Sequence, residues 1–142
     1  MGDPVFEQEL ELILSQYEYT VIYFNNGLHG VPFSIEQYES ALDRVFKRLL
    51  NTNAVVIWRD ITLYRDDHFR REQIDQRNAI AARLAVKYNI EIDNLGTFVP
   101  EDYIDIVHFN ATAIEMQAKY VMGTIYKNIK SENELSPLSG FK

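Results

Sequence analysis

Val21-Ile22-Tyr23-Phe24-Asn25-Asn26-Gly27 decides how the chain is read. Its first four residues are continuously apolar and either β-branched or aromatic, as in a strand buried on both faces within a parallel sheet. Asn-Gly then turns the chain. A second run of this kind, Ala54-Val55-Val56-Ile57-Trp58, follows, and a weaker alternating one, Ile90-Glu91-Ile92-Asp93, fits an outer strand. Helical stripes surround these runs. The first comprises Phe6, Leu10, Ile13 and Tyr17; the second, Ile35, Tyr38, Leu42, Val45 and Leu49. The third has Ile74, Ala81, Leu84 and Tyr88, and the closing helix has Ile114, Ala118, Val121, Ile125 and Ile129.

Boundary residues agree with these elements. Pro4 suits the first turn of the first helix, Ser34 with Gln37 reads as a capping box, and Asn110 is placed to cap the last helix. The alternation of helix and strand predicts an α/β fold with right-handed crossovers, a three-layer α/β/α sandwich around a parallel sheet. Residues 131–142 show no periodicity and are expected to form a flexible tail, which leaves residues 1–130 as a single domain.

Composition narrows the function. At 142 residues the chain can bury a hydrophobic core, and 46% apolar with 25% charged residues is ordinary for a globular protein. A net charge of -7 argues against nucleic acid or an anionic membrane surface as partner. The absence of cysteine removes disulfides, thiolate chemistry and cysteine metal sites. No signal peptide is recognisable at the amino terminus, and no apolar run is long enough to span a bilayer. A cytoplasmic location is the default expectation.

In open parallel sheets, function gathers at the carboxyl ends of the strands. The first strand leads there into Asn25, Asn26, Gly27 and His29, and the second into Arg59, Asp60, Ile61 and Thr62. Asp105-Ile-Val-His108, followed by Phe109-Asn110, comes just before the last helix. A histidine with a carboxylate three residues ahead can act as a general base of fixed tautomer. By residue type alone it is as readily a helix start with an incidental acid. The side-chain amides of Asn25 and Asn26 could stabilise an oxyanion, or the segment could be a plain turn. A metal would need a third ligand, and His29 and His68 are the other histidines. No metal or other cofactor is expected, and no Gly-rich phosphate loop follows a strand to suggest a nucleotide or flavin. Trp58, Tyr23 and Phe24 read as core, Arg70-Arg71 as a solvated helix start, and Glu7, Glu9 and Glu11 as a largely exposed helix face.

Taken together, these segments resemble the SGNH (GDSL-type) ester hydrolases, a family with a flavodoxin-like α/β/α fold. Four sequence blocks supply its Ser, Gly, Asn and His, with an Asp three residues before the His. Asp105-Ile-Val-His108-Phe-Asn resembles the last block, and Tyr23-Phe24-Asn25-Asn26-Gly27-Leu28-His29 resembles the asparagine block. The latter departs from the usual Gly-x-Asn-Asp wording, so both Asn26 and Asn25 remain candidates. Gly2-Asp3 resembles the end of the glycine block. The resemblance implies His108 as base, Asp105 as its orienter, and Asn26 or Asn25 with Gly2 at the oxyanion. It also implies a small ester substrate, a carbohydrate acetyl ester or a lipid.

The Gly-Asp-Ser block has no counterpart. Ser15, Ser34 and Ser40 fall in or at helices, and Ser131, Ser136 and Ser139 lie in the tail. The expectation is a domain truncated at its first βαβ portion, without the catalytic serine and inactive alone. Loss of the central first strand would bare the Val21–Phe24 edge, through which homo-oligomerisation is expected. A non-catalytic module that self-associates or binds a partner through this edge is the alternative.

Overall fold

The computed structural model of the chain describes residues 3–26, 29, 32–62, 68–95 and 109–135. Helices begin where the sequence offers acceptors to their first-turn amides. Asp3 Oδ1 accepts from the Val5 amide at 2.9 Å at the head of α1 (Pro4–Leu14), with proline in its first turn. Ser34 and Gln37 form the expected reciprocal box, at 3.2 and 3.0 Å, at the head of α2 (Ile35–Leu50). Asn110 Oδ1 accepts from the Ala113 amide at 2.9 Å at the head of α4 (Ala111–Leu135). Each such bond satisfies an amide that has no partner within its helix.

Strands β1 (Val21–Phe24), β2 (Val55–Arg59) and β3 (Glu91–Asp93) alternate with these helices and with α3 (His68–Tyr88) in the order the hydrophobic pattern predicts. They form one parallel sheet, ordered β1-β2-β3, with Val21 opposite Val55 and Trp58 opposite Ile92. Asn89, at φ 53°, ends α3 in the left-handed conformation that asparagine tolerates, and the Ile90 amide turns back to Ala85 O at 2.9 Å. That reversal feeds the chain directly into β3. Helix α4 runs on to Leu135, past the boundary at residue 130 expected from the sequence, and residues 136–142 lie outside the described residues.

Alternation along the strands divides the sheet into two unlike faces. On one, Ile22, Phe24, Val56, Trp58 and Ile92 join Leu10 of α1, Leu42 and Phe46 of α2 and Leu84 of α3 in a single core. Trp58 is fully buried, its ring centroid 5.4 Å from those of both Phe24 and Phe46. On the other face, Tyr23, Arg59, Glu91 and Asp93 meet α4 or each other through polar contacts. Arg59 reaches Gln117 Oε1 at 3.3 Å, and Lys127 reaches Glu91 Oε1 at 3.2 Å. Tyr23 is thus not the apolar core residue its strand context suggests: its hydroxyl donates to Asp93 Oδ2 at 2.6 Å.

Glu7 and Glu11 are not merely solvated either. Glu7 accepts from Arg44 Nε at 3.0 Å, and Glu11 pairs with Arg48, so two carboxylates of α1 clamp it to α2. Arg71 is exposed, as expected of a solvated helix start. Among the described residues β1 is an outer strand. The Val55 amide donates to Thr20 O at 2.9 Å. Because alternate residues of a parallel strand address opposite neighbours, Val21 and Tyr23 turn their main-chain groups away from β2. No described helix is long and apolar enough to cross a membrane.

Candidate active site

The carboxyl ends of β1 and β2 open into a cleft of about 370 Å³ lined by Asn25, Asn26, His29, Arg59, Asp60 and Thr62, with Ile61 beside them. Other hollows lie at the opposite ends of the strands, by Leu50, Val55 and Asn89, and on the α2–α3 surface, by Asp43 and Lys87. Position in an open parallel sheet favours the rim cleft as the site. Asn25 Nδ2 donates to Arg59 O at 2.7 Å and to Asp60 O at 3.2 Å, which ties the end of β1 to the end of β2. Asn26 is buried at the cleft and His29 is exposed. The structure therefore brings Asn25, Asn26 and His29 together.

Gly2, Asp105 and His108 lie outside the described residues. In the chain, His108 directly precedes Phe109 and the capping Asn110. Asp3, read as part of a glycine block, spends its carboxylate on the head of α1. The described serines hold local structure: Ser15 Oγ donates to Leu12 O at 2.8 Å, Ser34 caps α2, and Ser40 Oγ accepts from Arg44 at 3.0 Å. None of these three lines the cleft.

Asp60, which the sequence placed at the rim, was given no role there. It is 9% exposed on the cleft wall, and the main chain around it is pinned on every side. Its amide donates to Asp93 O at 3.1 Å, and its carbonyl accepts from Asn25. The next residue, Ile61, exchanges two 2.9 Å bonds with the side chain of Asn78 on α3. Among the described residues no donor is bonded to the Asp60 carboxylate. Burial, and then the charge of Asp93, push its carboxyl up to about 6. The same acidic neighbourhood acts on Tyr23, whose phenol is pushed well above its ordinary range by burial and then by the bond to Asp93. Tyr23 thus serves as a protonated donor. The sequence did carry a signal for these acids: Asp60 follows β2 directly and Asp93 ends β3, at the sheet end where sites form.

No protein-family model and no curated protein matches the chain. Solved structures do. The lipase/acylhydrolase of Enterococcus faecalis superposes with a TM-score of 0.67 at 16% identity, over 89% of this chain and 72% of its own. The psychrotrophic esterase EstA of Pseudoalteromonas sp. gives 0.72 at 15% identity, over 91% and 74%. The acetylxylan esterase of Geobacillus stearothermophilus gives 0.62 at 15%, over 85% and 67%. At these identities what is shared is the backbone architecture. The chain has the α/β fold of these solved structures, in keeping with the fold that its sequence implied.

Proposed function

We propose that this is an ester-hydrolase-type domain whose base is His108, oriented by Asp105, with Asn26 and the Gly2 amide facing the developing oxyanion. The observation that carries this reading is the polar cleft beside the asparagine pair, at the sheet rim of an esterase-like fold. Asn25 stays an alternative to Asn26; its amide nitrogen bonds to the carbonyls of Arg59 and Asp60, which ties the asparagine turn to the end of β2.

In such a site a serine oxygen attacks the ester carbonyl while the imidazole takes the serine proton. The imidazolium then protonates the departing alcohol, and water hydrolyses the acyl intermediate by the same route. None of the serines in these 142 residues follows a strand in a Gly-Asp-Ser setting. The hydroxyl would have to be supplied from outside this sequence, and the chain alone is inactive in this reading. Two measurements test it. With p-nitrophenyl acetate, hydrolysis should stay at background; turnover abolished by His108→Ala would refute the claimed inactivity. In a proton-detected titration, His108 should lose its proton at lower pH in Asp105→Asn than in wild type, and an unchanged titration would break the dyad.

One observation favours a second reading, a self-associating module: the outward-turned main-chain groups of Val21 and Tyr23 on an outer strand. Val21→Pro deletes an outward donor without touching the β1–β2 ladder. Sedimentation should show a wild-type dimer and a monomeric variant. A monomeric wild type at high concentration eliminates this alternative.

A further inference from the structure

The cleft holds one buried acid whose retention core packing does not explain. Asp60 is 9% exposed, lines the cleft, and has no bonded donor at its carboxylate among the described residues. Its oxygens keep some contact with solvent at the cleft, and burying the rest of an unpartnered carboxyl is costly. Its position is nonetheless held rigidly by the bonds from Asn25, to Asp93 O and between Ile61 and Asn78. A destabilising group on a rigid support at a site rim is the pattern of a residue kept for a ligand.

The lining indicates what kind of ligand. Asn25, Asn26, His29 and Thr62 carry side chains able to hydrogen-bond, and the apolar exception is Ile61. One acidic and one basic residue, Asp60 and Arg59, are among those lining it, the guanidinium of Arg59 being bonded to Gln117. A cation meets Arg59 and an anion meets Asp60, so neither sign of charge is favoured. No group of three acids or histidines able to hold a metal occurs among the described residues. The lining is more polar than apolar, so an acyl chain is not the ligand it suits best. A neutral ligand rich in hydroxyls fits such a lining, donating to the Asp60 carboxylate and exchanging hydrogen bonds with the polar side chains around it.

We propose that Asp60 is the specificity-determining residue of the rim cleft, its carboxylate accepting a hydrogen bond from a hydroxyl of a neutral, hydroxyl-rich ligand. For the ligand to be the alcohol portion of an ester, the assignment rests on the hydrolase reading. Binding itself does not.

The test is a titration of the full chain with methyl glucoside, followed through backbone amide resonances, with methylammonium and methyl acetate as competing chemistries. The glucoside should shift the amides of Asn25, Asn26 and residues 60–62. Asp60→Leu should weaken binding about tenfold, the effect of losing one charge-assisted hydrogen bond, while raising the melting temperature. Asp60→Asn should retain most of the affinity. A merely structural Asp60 would lose stability in the leucine variant, so the opposite movement of affinity and stability marks a ligand role. Equal affinity in Asp60→Leu, tighter binding of methylammonium, or absence of shifts around the cleft would each overturn the assignment. The titration reads binding without turnover, so its failure is distinct from failure of the dyad, which the His108 titration reads separately.

Discussion

The two faces of the sheet differ in kind. The face under α1, α2 and α3 is apolar and closed: Trp58 stands between Phe24 and Phe46, and Leu42, Phe46 and Trp58 have no exposed surface. The face under α4 sets polar and charged contacts beside a buried Ile57. Tyr23 bonds Asp93 and Arg59 bonds Gln117; Asp93 Oδ1, Arg59 Nε and Gln117 Nε2 are buried without a partner among the described residues, as are Tyr38 Oη and Trp58 Nε1 on the closed face. Both faces are built from the same strands, with residues one apart along the chain pointing oppositely. The closed face supplies stability because dispersion and burial need no exact pairing. The polar face spends stability to hold charges near the rim, as sites generally do.

Removing the centre of the closed face gives the largest expected effect. Trp58→Ala should cost about 3–5 kcal/mol, the range for deleting a buried aromatic ring, and urea unfolding should show a strongly lowered midpoint or no cooperative transition. If Trp58→Ala proves mild, the closed face is not where stability resides, and the contrast between the faces fails.

Asp60→Asn tests the opposite claim for the polar rim. The Asp60 carboxyl is raised from 3.8 to about 6, so the folded chain binds more protons than the unfolded chain between these values, and wild-type stability falls as pH rises through that window. The variant does not titrate at this position. It should match wild type near pH 4 and exceed it above pH 6, by up to roughly 3 kcal/mol from the size of the shift. Thermal melts across this range read the difference directly. A gain that does not depend on pH would show that burial of the charge is not the cause.

Tyr23→Phe comes next. It leaves Asp93, 2% exposed, without its tyrosine donor, and should cost roughly 2 kcal/mol. Asp93→Asn in the same background should recover part of that loss, because the stranded charge goes with it. A double-mutant cycle in urea gives the coupling; additivity would mean that the 2.6 Å contact contributes nothing specific.

The closed face was legible in the sequence and the polar face was not, for one physical reason. Burial writes itself as runs and stripes: Val21–Phe24, Val55–Trp58 and the α2 stripe name their partners by hydrophobicity alone. Capping also reads locally, as at Ser34 and Asn110, since donor and acceptor lie within a turn. The polar contacts join residues far apart in the chain, and each member looks ordinary by itself. Tyr23 hid within an apolar run, and Asp60 resembled any acid after a strand. Glu7 and Glu11 looked solvated until α1 was laid beside Arg44 and Arg48. Of the cleft, the asparagine turn at the end of β1 was legible, and the bonds from Asn25 to the carbonyls of Arg59 and Asp60 are ones that no motif encodes. Asp105 and His108 rest on sequence.

The smallest effect is expected where charges pair outside both faces. Asp43 of α2 accepts from Lys47 at 2.7 Å, from Lys87 of α3 at 2.8 Å and from the Tyr88 hydroxyl at 2.6 Å. The bond from Lys47, followed by those from Lys87 and Tyr88, holds its carboxyl well below the usual carboxylate range. A depressed carboxyl stabilises the folded chain above the ordinary carboxylate pKa and ceases to do so as pH falls through the folded value. Both lysines are more than half exposed, so water and salt screen the pairing. Asp43→Ala should therefore cost only about 1 kcal/mol near neutrality. The loss should shrink in strong acid and in high salt, read as a melting-temperature difference of a few degrees. Were it to rival Trp58→Ala, the helices would be held to each other by charge, and the closed face would need a different account of its stability.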